Sequence, residues 1–336
     1  MNIREIAKEA GVSIATVSRV LNGKSDVSAD TRERILAIIK EKDFKPKVSS
    51  ITAVPDNIGL FLCSNNTEVS NPYVSLVISG IASIIFRQDL NLTLIPSIKI
   101  SRDGMEFFNF CNLRRISGGI FISSSQDDIY IMELAKQVPS IVIGNDFELE
   151  CLGSVRSDNF KGANDAIKYL IELGHRRILL IMADLHFMDH RERYEGARKA
   201  IEDAGLELNK YDILDSYAFN NTDLQNKLEF IIQNTCPDAI FVGGDQEAVR
   251  VMKALQDAGM RIPEDISVMG YDNLDIAVHT NPPLTTVNQP VYEMGKEAAR
   301  LLLNMINDRE YKNTKILFQN SNIMIRKSVK NRNGLK

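Results

Sequence analysis

Two short clusters carry residue types suited to metal or phosphate chemistry. His186 and His190 lie four apart with Asp189 beside the second, and Gly23-Lys24-Ser25 reads like the end of a phosphate-cradling loop. Neither completes a site. The histidines fall in a stretch expected to be loop, without the glutamate of an H-E-x-x-H pair, and the glycine such a phosphate loop needs five positions earlier is Ser18. No G-x-G-x-x-G follows a strand-like run, and no nucleophile, base and orienting acid stand out, so neither catalysis, a metal nor a cofactor is expected. Recognition chemistry has better candidates near the N-terminus. Ile14, Ala15 and Arg19 share the polar side of one helix-length run. An apolar side chain can read a thymine methyl, and an arginine can bridge guanine O6 and N7, worth roughly 1–3 kcal/mol of discrimination. Thr16, Ser18 and Asn22 on the same side suit phosphates, and Ser13 opens the run as a cap and joins the DNA-facing set.

These residues need three short helices to hold them. Ile3, Ile6, Ala7 and Ala10 form one apolar stripe ending at Gly11; Val17, Val20 and Leu21 form a second, ending at Asn22-Gly23; Ile35, Ile38 and Ile39 form a third behind a cap at Ser28 or Asp30. A helix, a glycine-containing turn and a second helix make a helix-turn-helix, whose second helix enters the major groove. Charge agrees. The chain carries a net −4, yet residues 1–50 hold ten Lys/Arg against seven Asp/Glu, a basic module on an acidic body. Cys63, Cys111, Cys151 and Cys236 are too scattered for a zinc ribbon or disulfide framework. With no run of ~20 apolar residues and no signal-peptide core, a cytoplasmic location without membrane contact is expected.

The stretch from Asn2 to Gly23, reading Asn-Ile-Arg-Glu-Ile-Ala-Lys-Glu-Ala-Gly-Val-Ser-Ile-Ala-Thr-Val-Ser-Arg-Val-Leu-Asn-Gly, followed by Val27-Ser-Ala-Asp-Thr-Arg-Glu-Arg-Ile35, resembles the headpiece of the lactose/galactose repressor (LacI/GalR) family. The resemblance implies a homodimer on a pseudo-palindromic double-stranded operator. It weakens in the connector, Phe44-Lys-Pro46 through Pro55-Asp-Asn57, where the family has a minor-groove hinge helix with a leucine wedge. The β-branched, Ser/Thr-rich composition here is a poor helix former. Ile51 as an apolar wedge and a plain flexible linker both stay open.

From Ile58 onward, strand-like runs alternate with amphipathic ones in two sets, Ile58–Cys63, Leu92–Ile95, Gly119–Ile122 and Ser140–Gly144, then Ile178–Met182, Ile213–Tyr217, Ala239–Gly243 and Ser267–Gly270, with helices between the strands of each set. This argues for an α/β fold: two lobes of parallel sheet covered by helices, with a ligand between them. Ser70-Asn-Pro-Tyr73, Glu172 through Ile178, Arg193-Tyr-Glu-Gly196, Pro263 through Asp272 and Asn281 through Pro290 resemble the same family's effector domain, which is similar to periplasmic sugar-binding proteins. The expected organisation is a headpiece at 1–45, a hinge or linker at 46–57 and an effector-binding and dimerisation domain at 58–330. Its first lobe takes about 58–155 and 287–315, its second about 156–286 and 316–330.

By position in these motifs, the resemblance implies that Arg193 and Asp272 bind the effector, with Asp146 a third candidate from the opposite lobe. A carboxylate accepts from adjacent hydroxyls and a guanidinium donates through a planar fork, which holds a polyol without reacting with it. Tyr73 and Phe219 are placed either to stack on a sugar's apolar face or to fill core. Gly244 stands where the family has an asparagine, implying a larger or differently oriented ligand. The implied protein is a repressor released from its operator by a sugar, with a purine or phosphorylated carrier protein acting as corepressor the alternative. No leucine-heptad tail follows Arg326, so a dimer is expected.

Overall fold

The computed structural model of the chain describes residues 3–21, 27–41, 57–64, 69–96, 104–125, 127–128, 130–147, 149, 152–307, 314–319 and 322–334. Asn22, Ile51 and connector residues 46–56 lie outside them. In the headpiece, α1 (Ile3–Glu9), α2 (Ile14–Leu21) and α3 (Ala29–Glu41) bury Ile6, Ala7, Ala10, Val17, Val20, Ile35 and Ile39 against one another. The turn between the first two passes through Gly11 at φ +65°, a conformation that favours glycine.

The body continues with β1 (Asn57–Leu62), α4 (Pro72–Ile85), β2 (Asn91–Pro96), α5 (Gly104–Leu113), β3 (Ile116–Ile122), α6 (Tyr130–Ala135), β4 (Ser140–Ile143) and β5 (Leu152–Ser157). After the first crossover come α7 (Asn159–Glu172), β6 (Ile178–Ile181), α8 (Met188–Asp203), α9 (Asn221–Thr235), β7 (Ala239–Val242), α10 (Asp245–Asp257), β8 (Ser267–Asp272), α11 (Ile276–His279) and β9 (Thr285–Asn288). The chain then returns through α12 (Val291–Asn307) and β10 (Lys315–Phe318) before ending near β11 (Ile323–Met324).

Two sheets result, ordered β10-β5-β4-β3-β1-β2 and β11-β9-β8-β7-β6, parallel throughout except for β11 against β9. Strands buried on both faces explain the near-continuous apolar runs. In β1, Ile58, Leu60 and Leu62 join the α4 and α12 side, while Phe61 packs on the other face with Phe107 and Phe121. In β6, Leu179 and Ile181 face α9 and α10, and Leu180 faces α7 and α8. The backbones of α4 and α12 touch: a Cβ at Gly80 would overlap the Tyr292 carbonyl, and one at Gly295 the Val77 carbonyl.

Four expectations need correction. The strand expected at Ile213–Tyr217 forms only one bridge, Ile213 to Ile181, before a short 3-10 turn at Ser216–Ala218. A side chain takes one rung of that ladder, because the Leu180 amide donates to the Asp212 carboxylate at 2.9 Å. Strand β10 pairs with β5, so the last return to the second sheet comes after residue 318 and not near 315. The helix α7 falls in a stretch not expected to be helical, since its buried face includes Gly162, Ala163 and Asn164 as well as large apolar residues. Finally, His190 and Asp189 lie in α8 and not in a loop.

Burial lifts the pKa of Asp212 to about 7, against the pull of the Leu180 amide. A carboxyl raised in the folded state contributes stability at low pH that is lost as pH climbs through that value. Asp212→Asn keeps the acceptor without the charge. It should exceed wild type in stability by about 2 kcal/mol more at pH 8 than at pH 5, read by urea denaturation. A pH-independent difference would remove the buried charge as its cause.

Candidate functional site

Three helices begin at one cleft between the sheets, and their first turns supply most of its chemistry. Helix α4 starts at Asn71-Pro72: the Asn71 side chain accepts from the amides of Tyr73 at 2.9 Å and Val74 at 3.3 Å, fixing Tyr73 on the cleft wall. Helix α8 brings Asp189, His190 and Arg193 to the same space, and α10 opens at Gly244 with Glu247 in its first turn. The first lobe adds Ser64, Ser123 and Ser124, and the rings of Phe187 and Tyr217 complete the wall. About 900 Å³ in and around the cleft lies free of protein atoms, the open mouth included.

Arg193 is the centre of the cleft and only 2% exposed. Its Nε donates to Asn159 Oδ1 at 2.9 Å, Nη1 to the Gly243 carbonyl, and Nη2 to Gln289 Oε1 at 2.9 Å. The guanidinium lies over the Tyr271 ring, 4.0 Å from its centroid. Two carboxylates approach the same Nη2, Asp272 at 3.3 Å and Asp189 at 3.9 Å. With five N–H groups in all, a guanidinium so engaged has at most two left for a ligand. Gln289 also donates to Ser157 Oγ at 2.6 Å, so Arg193 is tied to residues at both the β5–α7 and β9–α12 crossovers.

Asp272 ends β8 at φ +111°, followed by Asn273 at φ +56°. Non-glycine residues adopt such backbone only where their surroundings force it. Here Leu274 N donates to Asp245 Oδ2 at 2.8 Å, Asn273 Nδ2 to Asn288 Oδ1 at 2.8 Å, and Arg326 to Asn273 Oδ1 at 2.6 Å. The turn aims the Asp272 carboxylate at the cleft. Its Oδ1 is buried, and the ion pair with Arg193 lacks hydrogen-bond alignment. Burial holds its pKa above the ordinary carboxylate range, opposed by Arg193 and reinforced by Asp245 and Asp189. Burial also pushes His190 down to about 4, leaving a neutral imidazole.

The structure gathers Tyr73, Arg193 and Asp272 at this cleft but not the other two candidates. Asp146, just past the end of β4, forms an ion pair at 2.9 Å with Lys315 at the start of β10. The Phe219 ring packs against the second-lobe core and its carbonyl accepts from Arg250 at 2.6 Å. Asp189, Phe187, Tyr217 and Glu247 line the cleft without having been singled out as ligand-binding. For Asp189 the signal was present, since it lies one helical turn before Arg193. At the headpiece surface, Ile14 is 46% exposed and Ala15 and Arg19 are exposed beside it, while Val17 and Val20 turn inward. Ser13 caps α2 by accepting from the Thr16 amide at 3.1 Å and shares a hydroxyl hydrogen bond with Thr16 at 2.8 Å; Ser18 is half-buried.

A family model for bacterial regulatory proteins of the lacI family matches residues 2–47, and one for a periplasmic binding protein-like domain matches 167–329. The HTH-type transcriptional repressor PurR of Vibrio cholerae is 30% identical over 333 residues, covering 98% of each chain. Among solved structures, the transcriptional regulator CelR–cellobiose complex is 28% identical, covers 98% of this chain and 99% of that one, and superposes with a TM-score of 0.72. A lacI-family regulator from Enterococcus faecium with bound ribose is 26% identical, covers 82% and 99%, and has a TM-score of 0.69.

Proposed function

The chain belongs to the lacI family and is a DNA-binding transcriptional repressor, and from that premise we propose that a sugar bound in the interlobe cleft sets its affinity for operator DNA. The observation carrying this reading is the pairing of Arg193 with Asp272 inside a cleft walled by Tyr73, Phe187 and Tyr217. Carboxylates accept from hydroxyls, the remaining guanidinium N–H groups donate, and rings cover the apolar face of a pyranose or furanose. Among the described lining residues, Asp189, Glu247 and Asp272 face a single cation, Arg193, which disfavours phosphorylated ligands. That two structural relatives were solved with cellobiose and ribose supports the same class.

In this reading the protein works in the cytoplasm as a homodimer on a pseudo-palindromic site, with Ile14, Ala15 and Arg19 at base edges and Ser13, Thr16, Ser18 and Asn22 nearer the backbone. No helix among the described residues is long and apolar enough to cross a membrane. Ligand occupancy changes lobe closure, and with it the spacing of the two headpieces.

The test is fluorescence anisotropy of the full chain on an operator selected from randomised pseudo-palindromes. It is titrated with non-phosphorylated sugars, including cellobiose, ribose and amino sugars, and in parallel with sugar phosphates and purines. A non-phosphorylated sugar should weaken operator binding by about 5–150-fold, the usual span of allosteric coupling. Tightening by a purine alone would instead establish the corepressor logic, and an effect confined to phosphates would overturn the charge argument.

A further inference from the structure

The cleft brings two carboxyl groups to one cation and leaves a buried carboxyl oxygen without a donor. Asp272 and Asp189 both converge on one Nη2 of Arg193, whose charge is already shared with the Gly243 carbonyl, Asn159 and Gln289. Glu247 has its own partner in Arg250 at 2.9 Å, but Asp189 has no cation other than that distant Nη2 among its described ion pairs. It sits in the first turn of α8, beside the positive end of the helix dipole. His190, buried and neutral, adds no compensating charge.

The space beside these carboxylates is open. Gly244 has no side chain to cover Asp272, and a Cβ there would meet only Asp272 Oδ2, at 3.5 Å. Asp272 Oδ1 is buried without a hydrogen-bonded donor, in the same cleft that Tyr73, Tyr217 and Phe187 line. A donor-rich cation between carboxylates and aromatic faces satisfies both kinds of wall, through charge-assisted hydrogen bonds and through the ring quadrupole. Closing the lobes on a neutral ligand would instead leave the second carboxylate desolvated and unanswered, which is costly.

We propose that the ligand carries a protonated amino group, received by Asp189 and Asp272 in the space left open at Gly244, so that the effector class is an amino-substituted sugar. This rests on the sugar-binding reading above and narrows it. The subsite is an acceptor site: the ammonium donates to both carboxylates, Arg193 keeps its internal bonds, and the sugar hydroxyls meet the serines of the first lobe.

Matched pairs test it, by thermal shift and titration calorimetry on the full chain: glucosamine with glucose, galactosamine with galactose, mannosamine with mannose, and the fully deacetylated chitosan disaccharide with cellobiose. In at least one pair the amino member should bind about tenfold or more tighter than its neutral counterpart, a modest fraction of the Coulomb energy of a partly buried pair. The isosteric Asp189→Asn should collapse that ratio toward one. Neutral members binding as tightly as their amino partners would overturn the inference and leave the sugar reading standing, as would an undiminished ratio in Asp189→Asn. If neutral sugars bind and no amino sugar does, the inference fails alone. If neither class binds, the sugar reading fails with it.

Discussion

Replacing Arg193 by methionine should lower the unfolding free energy by about 3–5 kcal/mol and abolish the response of operator binding to ligand. The magnitude follows from what the change strands. Asp272, 7% exposed, loses its cation, while Asn159 Oδ1, Gln289 Oε1 and the Gly243 carbonyl lose their donor in a place water barely reaches. Methionine fills most of the volume and can still lie on the Tyr271 ring, so the loss reads electrostatics and hydrogen bonding more than a cavity. Adding Asp272→Asn to this variant removes the uncompensated carboxylate and should recover part of the stability. Urea unfolding followed by circular dichroism measures both. A single variant within 1 kcal/mol of wild type would show that the network around Arg193 is dispensable to the fold.

The second large effect belongs to the headpiece. Arg19→Ala should remove most discrimination between the operator and a mismatched site. A bidentate arginine–guanine contact is worth roughly 1–3 kcal/mol, and a symmetric dimer makes it twice, so the specificity ratio should fall by about 30-fold to 10⁴-fold. Arg19 is exposed on α2 and lies outside the Ile6, Val17, Val20 and Ile35 core, so stability should stay within about 0.5 kcal/mol. Competition anisotropy with matched and mismatched duplexes reads the ratio, and an unchanged ratio would reassign Arg19 to the phosphate backbone.

Local signals carried much of this architecture. The headpiece helices follow apolar stripes of three and four spacing, and α5 spans the expected Gly104–Leu113, because each is decided by short-range periodicity. What escaped was decided at long range or by polar groups. The helix α7 hides a packing face built partly of glycine, alanine and asparagine, with the Asn164 side chain donating to the Gly196 carbonyl of α8 at 3.0 Å. The Ile213 run has strand composition, but the Asp212 carboxylate occupies the Leu180 amide that a neighbouring strand would have used. At the site, family position pointed to Arg193 and Asp272, which the fold places 3.3 Å apart. Asp146, the third candidate, pairs with a lysine on β10, and Phe219, open between sugar and core, packs against the second-lobe core.

The close contact of α4 with α12, backbone against backbone at Gly80 and Gly295, also bears on how the protein is made. The first sheet lacks its β10 edge and its α12 cover until the ribosome has added roughly 160 residues beyond β5, which at ordinary elongation rates takes about 10–30 s. Through that interval the apolar α4 face destined for Met294, Ala298 and Leu302 has no partner in the nascent chain. The headpiece, whose core closes within the first forty residues, has no such wait. A newborn molecule therefore acquires its DNA-reading surface well before it has a finished sensor, and the unfinished first lobe is the part of the chain most in need of a chaperone.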